Sequence, residues 1–238
     1  MMEIWAHRGA SARQPENTIA AFAAAMEAGA DGVELDVQLT SDGVPVVIHD
    51  ETVDRTHDGT GSVSTFTLAQ LQKLRSLLKP KGDPMVTRIP TLAEVLDLLA
   101  AGSQLINIEL KNSVQPYKGL EKKVLALVEE RKLAARVVLS SFNHYSLQRL
   151  RERGWTGELA AVHDGMLREP WRYFRELDVQ AVHPPRHVLM IPGFVTRAHR
   201  AGFKVRVWTV NKAAQRQRCA RLGVDGIFTD VVKPGPSW

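Results

Sequence analysis

The chain has 238 residues, 44% of them hydrophobic and 6% aromatic, with 31 Lys and Arg against 26 Asp and Glu. That length carries one large core, and no stretch approaches the roughly 20 apolar residues of a membrane-spanning helix. The net charge of +5 is uneven, with 10 basic and 15 acidic side chains over residues 1–119 and 21 and 11 over residues 120–238. The basic residues are spaced along helical faces (RLRERG, RQRCAR) and do not run together between aromatics, which argues against a nucleic-acid partner.

In chain order, Met2-Glu3-Ile4-Trp5 leads directly into a first strand at 4–8, with neither a basic start nor an apolar run of signal-peptide length. Together with a single cysteine, Cys219, this predicts a cytoplasmic protein without disulfides. A helix is expected over 18–28, with Asn17 placed to cap it. Strands at 32–39 and 45–49 follow, separated only by TSDGV. A parallel crossover needs about a dozen residues or more, so these two form an antiparallel hairpin. Residues 51–88 contain one helical stretch, TLAQLQKLRSLL, and are too long for an ordinary connection; they predict a small subdomain covering one face.

Helices are then expected at 92–101, 117–132, 144–153, 169–177, 193–201 and 212–222. They alternate with strands at 105–111, 137–141, 158–162, 180–183, 204–209 and 226–229. Thr91 and Glu94 form a capping box, Asn143 and Asn211 stand as later caps, and Gly29, Gly154, Gly202 and Gly223 follow helices where a left-handed residue is wanted. With the hairpin's return strand set aside, eight strands remain, nearly all separated by helices. The reading is α/β: a TIM-type (β/α)8 barrel in one domain, 1–238, with a β-hairpin at 32–49 and a cap insertion at about 51–88.

Chemistry in such barrels gathers at the carboxyl ends of the strands. His7 and Arg8 end the first strand, and Gly9 permits a sharp turn there. Glu34 and Asp36 share one face of the second strand, as do Glu109 and Lys111 on the fourth. His49 ends the hairpin return, where pairing is expected to bring it near Glu34, and Trp208 lies near the end of the KVRVWT strand. Three carboxylates without cysteine form a hard-oxygen set that suits one divalent cation, Mg²⁺ or Ca²⁺, with Mn²⁺ a third candidate. Arg8 and Lys111 add the fixed positive charge a phosphate needs, and two histidines can act as general acid and general base. Metal, two cations and two imidazoles together describe phosphodiester cleavage.

HRG at 7–9, PENT at 15–18, ELDV at 34–37, HD at 49–50, IELK at 108–111, WTVN at 208–211 and DGIFTD at 225–230 resemble the glycerophosphodiester phosphodiesterases, in order and over essentially the whole chain. The resemblance implies hydrolysis of a small-molecule glycerophosphodiester to sn-glycerol 3-phosphate and an alcohol such as choline, ethanolamine or glycerol. It makes His7 and His49 the acid–base pair, Glu34, Asp36 and Glu109 the cation ligands, and Arg8 and Lys111 the phosphate holders. Glu16 would brace the first-strand residues and Trp208 would line the substrate pocket. At 181–185 the chain reads AVHPP, where many members have an Asn-Pro-like ending, so His183 is expected to meet the pocket in its own way. Two rivals are a phosphodiesterase acting on intact phosphoinositides or sphingolipids and a non-catalytic phosphometabolite-binding barrel. The first would want an exposed aromatic cluster suited to lipid, which the sequence does not display, and the second has no need of both histidines. Neither headgroup nor oligomeric state is encoded in these motifs.

Overall fold

Nine strands form in the computed structural model, which describes residues 1–78, 83–167 and 169–233. They are β1 (Glu3–His7), β2 (Gly32–Leu39), β3 (Pro45–Val47), β4 (Leu105–Leu110), β5 (Val137–Ser141), β6 (Glu158–Val162), β7 (Ala181–His183), β8 (Lys204–Val207) and β9 (Gly226–Thr229). All but β3 are parallel, and the β1–β2 and β1–β9 pairings close them into a barrel with helices between successive strands. β3 runs antiparallel on β2, as the short TSDGV connection requires. Register explains how one strand serves both partners: Gly32, Val33 and Glu34 pair with β1, while Val37, Gln38 and Leu39 pair with β3. The carboxyl half of β2 thus rises above the β1 rim and carries the hairpin.

The outer helices are α1 (Ile19–Glu27), α4 (Leu92–Ala100), α5 (Leu120–Glu130), α6 (His144–Glu152), α7 (Trp171–Glu176), α8 (Phe194–Arg200) and α9 (Ala213–Arg221), with single-turn α2 (Leu68–Leu71) and α3 (Pro84–Thr87) before α4. Strand alternation divides the core. Val33, Leu35, Ile106, Ile108 and Leu139 pack outward among Phe22, Leu96, Val124 and Leu150, whereas Trp5, Val138, Ala160, Ala181 and Phe228 form a cluster of their own. Arg206, 1% exposed, bridges Glu3 and Glu158 across the sheet and lies 5.0 Å over Trp5. Glu3, Trp5, Glu158 and Arg206 belong to the amino-terminal part of the barrel, where side chains serve stability, and leave the opposite mouth for chemistry. Among the described residues no helix is long and apolar enough to cross a membrane.

The Thr91–Glu94 capping box forms, and Gly29, Gly154, Gly202 and Gly223 all adopt positive φ. Three expected caps do otherwise. Thr18, not Asn17, caps α1 by accepting from Ala21 N. Asn143 stands at the N-cap position of α6 but donates to the Asn112 carbonyl, and Lys212 takes the N-cap of α9 while Asn211 turns to Asp230. In each case a tertiary partner outbids the local one, since a short amide serves either equally well. The helix expected over TLAQLQKLRSLL shrinks to Leu68–Leu71, because beyond it the chain is held crosswise: Arg75 N donates to Asp58 and Leu77 N to the Thr56 carbonyl.

β3 and the residues after it build a second small core of Val46, Ile48, Val53, Val63, Leu71 and Ile89. Residues 79–82 of the expected cap lie outside the described residues. His57 sits in this region, 6% exposed, with Nδ1 2.9 Å from the Thr56 hydroxyl and a buried Nε2 that has no partner. Burial depresses its pKa to about 4, outweighing the attraction of Asp58 and Glu16. The unfolded chain therefore binds more protons than the folded one between about pH 6.5 and 4, and stability must fall as pH drops through that window. We expect a loss of about 3 kcal/mol by pH 4 from this group. Denaturant melts of the protein and of His57→Phe at pH 7 and pH 4 check it, the variant losing less by that amount.

Candidate active site

The HRG turn is built from strained backbone. Arg8 has φ +57° and Gly9 φ +80°, and a Cβ on Gly9 would lie 2.6 Å from the Ala21 backbone. Close packing of the turn on α1 therefore demands glycine here, beyond any need for space beside a ligand. The turn swings the Arg8 amide onto Glu34 Oε2 at 2.8 Å and its guanidinium toward Glu16, with Nη1 2.9 Å from Oε1. Three residues of PENT then have separate tasks. Glu16 holds Arg8, Asn17 (φ +56°) donates to Asp36 Oδ2 at 2.8 Å, and Thr18 starts α1.

Glu34, Asp36 and Glu109 come together as the strand periodicity predicts, each offering an oxygen within 4.8 Å of the others. Parallel register causes this, since Asp36 pairs with Glu109 across β2 and β4. Glu34 and Asp36 are buried and Glu109 is half-buried, and their charges are unequally compensated. Burial raises Glu34 well above the usual carboxylate range, and Asp36 and Glu109 push it further. Burial also raises Glu109 despite Lys111 at 3.1 Å. Asp36 differs: Arg8, His49 and Lys111 overcome its desolvation and hold it at about 2. Two carboxyl groups held above their ordinary range beside a third that stays ionised form a crowded oxygen set that a hard divalent cation would relieve, so the residues present fit such an ion.

Both histidines line the same cavity of about 320 Å³, with Arg8, Glu34, Asp36 and Glu109 at one end and Phe142, Trp208 and Phe228 among its apolar walls. His49 stands beside Asp36 and Glu109, which feel its charge, and lines the same cavity as Glu34. The amide of Ile48 pairs with the Asp36 carbonyl and the next residue turns away over β4, toward Lys111. Trp208 lines the wall, its indole N–H bonded to the His183 carbonyl at 2.7 Å. Glu16 is in place to brace Arg8 but lies outside this cavity's lining.

Sequence reasoning missed the supports of the imidazoles. His7 Nδ1 lies 2.7 Å from Asp230, which Asn211 and Ser11 also hold. His49 Nδ1 lies 2.6 Å from Asp50. Asp50 is held at about 2, because hydrogen bonds from Arg55 and His49 overcome its burial. Arg55 also reaches Glu16 with two nitrogens, at 2.9 and 2.7 Å, so one guanidinium ties the Arg8 brace to the His49 support. The Gln38 amide lies within 3.0 Å of the carbonyls of Ile48, His49 and Asp50 and fixes the turn that presents His49. Asp50 and Asp230 stand inside quoted motifs, HD and DGIFTD, so a carboxylate next to each histidine-bearing strand end was the available signal. Arg55 and Gln38 carried none.

A second groove adjoins the mouth through Phe142, lined also by Tyr145, Tyr173 and His144. Phe142, Tyr145 and Tyr173 are 36%, 74% and 45% exposed, so an exposed aromatic group does stand beside the site, against the sequence expectation. Phe142 and Tyr145 flank the start of α6 while Tyr173 comes from α7, and linear order hides that last proximity.

The sequence profile of the glycerophosphoryl diester phosphodiesterase family matches residues 7–233. A glycerophosphodiester phosphodiesterase of Caldanaerobacter subterraneus subsp. tengcongensis is 44% identical over 227 residues, 95% of this chain and 93% of the relative. One from Bacillus altitudinis is 39% identical over 97% of this chain and 95% of its own. The crystal structure of an Oleispira antarctica phosphodiesterase in complex with the product sn-glycerol-3-phosphate superposes with a TM-score of 0.83 at 29% identity, covering 97% of this chain and 93% of that one.

Proposed function

This chain belongs to the glycerophosphoryl diester phosphodiesterase family, and from that membership we propose that His7 and His49 perform general acid–base hydrolysis of a glycerophosphodiester to sn-glycerol 3-phosphate and an alcohol. The enzyme is a phosphoric diester hydrolase. One observation carries the assignment: both imidazoles face the cavity that holds the three clustered carboxylates.

Glu34, Asp36 and Glu109 would hold one divalent cation, Mg²⁺ or Ca²⁺ by the hardness of the donors, and such an ion would offset charge on the non-bridging phosphate oxygens. Arg8 and Lys111 hold the phosphate from either side of the carboxylates, and Glu16 keeps Arg8 extended. The donors around His49 support its role. Lys111 Nζ, a donor only, lies 3.3 Å from His49 Nε2, and the ionised Asp50 accepts at Nδ1. Nε2 therefore presents a lone pair, and His49 takes the proton from the attacking hydroxyl. His7, whose Nδ1 is held by Asp230, delivers a proton to the departing alkoxide oxygen as the P–O bond breaks. The segment 51–88 acts as a cap whose Arg55 reaches the site, and the buried lone thiol of Cys219 supports a cytoplasmic setting.

The test is a coupled sn-glycerol 3-phosphate assay on glycerophosphocholine, glycerophosphoethanolamine and glycerophosphoglycerol, run beside phospholipid vesicles with Mg²⁺, Ca²⁺ or Mn²⁺. Turnover of the soluble diesters at more than about a hundred times the vesicle rate is expected. Turnover confined to vesicles would instead assign the aromatic groove to lipid.

A further inference from the structure

The catalytic cavity contains two polar side chains that the acid–base scheme leaves without work. Asn107 on β4 and His183 on β7 both line it, both are 2% exposed, and Asn107 Oδ1 and His183 Nε2 are buried with no hydrogen-bond partner. Buried polar atoms are nearly always paired, because an unpaired one forfeits its hydration without return. Asn107 is the one amide in the aliphatic strand LINIEL, two residues before Glu109 and on the same inward face. An aliphatic side chain there would pack the interior at no such cost.

We infer that Asn107 and His183 are specificity-determining residues that read the hydroxyl groups of the substrate's glycerol. The inference rests on the function proposed above and adds what the hydrophobic and charged parts of the cavity cannot supply. A phosphate anchored at Arg8 and at Lys111, which lies outside the cavity's lining with its Nζ 5.8 Å from the Phe142 ring centroid, leaves the three-carbon chain beside Trp208, Phe142 and Phe228, whose rings suit its C–H surface. An amide oxygen only accepts, so it calls for a donor, and a neutral imidazole offers one donor and one acceptor. His183 is kept neutral by burial, with Arg206 and His163 adding repulsion, so a charged ligand group gains no ion pair from it. Hydroxyls, which both donate and accept, satisfy both positions; a carboxylate would be refused by Asn107 Oδ1. The ligand chemistry is a neutral polyol. The HPP ending of β7 thereby puts an imidazole where an Asn-Pro-like ending would put an amide.

The experiment compares kcat/KM for glycerophosphocholine with that for propyl phosphocholine, which keeps the phosphate and the leaving group but lacks the diol. The wild-type enzyme is expected to prefer the diol by about a hundredfold or more, and Asn107→Leu and His183→Phe each to cut that ratio by about tenfold or more. Because the ratio is taken within one variant, loss of folded protein or of bound cation cancels from it. For a variant too slow to assay, calorimetric affinities for sn-glycerol 3-phosphate and propyl phosphate supply the same ratio. Ratios within about twofold of wild type in both variants would overturn the inference. Wild-type enzyme that cleaves neither choline ester would instead overturn the proposed reaction, and the two phosphate affinities would still judge the hydroxyl readers.

Discussion

His49→Ala is expected to lower kcat on glycerophosphocholine by about a thousandfold while KM stays within a few-fold, and His7→Ala to do the same. The two should part company when the leaving group is changed. A p-nitrophenyl phosphodiester of glycerol expels a phenolate that needs no proton, so a missing general acid costs little there, whereas a missing base costs as much as before. His7→Ala is therefore expected to recover most of its deficit on the aryl ester and His49→Ala to recover almost none. This asymmetry follows from the surroundings of the two rings. His49 Nε2 has the Lys111 ammonium, a donor only, 3.3 Å away and so stands as an acceptor, while the carboxylate behind the ring is tied to Arg55. His7 is backed at Nδ1 by Asp230, whose other partners, Asn211 and Ser11, are neutral donors. The opposite pattern of recovery would exchange the roles. Near-normal turnover in both alanine variants would remove the acid–base pair altogether.

Glu34→Gln is expected to raise the cation concentration needed for half-maximal activity by at least about tenfold, and excess chelator to suppress wild-type activity until cation is restored. The same substitution should make the cation-free protein more stable, by about 1 kcal/mol. That sign is the sharper part of the prediction. Glu34 is buried and repelled by Asp36 and Glu109, so its carboxyl is held well above the ordinary range. An amide of the same shape removes the repulsion and can still accept the Arg8 amide bond made at Oε2. A site in which function opposes stability in this way is what a ligand set kept for a cation requires. Cation titrations of activity and chelated melts of both proteins give the two readouts. Full activity in excess chelator would end the metal assignment, and a less stable Glu34→Gln apoprotein would show that the carboxylates are sustained by the protein's own cations alone.

The barrel was legible in the sequence because its determinants are short-range. Alternation of period two marks each strand, and a five-residue TSDGV gap cannot hold a crossover. The three carboxylates were legible for the same reason: residues two apart on a strand share a face, and parallel neighbours bring those faces into line, Asp36 beside Glu109. Local pattern thus determined which residues point inward and at which end. It could not determine which partner a short polar side chain takes. Asn17 satisfies the rules for a helix cap and holds Asp36 instead, and Asn211 holds Asp230, because an amide can accept from a helix terminus with its oxygen or donate to a carboxylate brought close by folding with its nitrogen. Arg55 reaches Glu16 and Asp50 from a loop, and Asn107 and His183 line one cavity from β4 and β7, strands far apart in the chain. Such pairings depend on where closure of the barrel places each loop and strand end, and only the tertiary structure decides that.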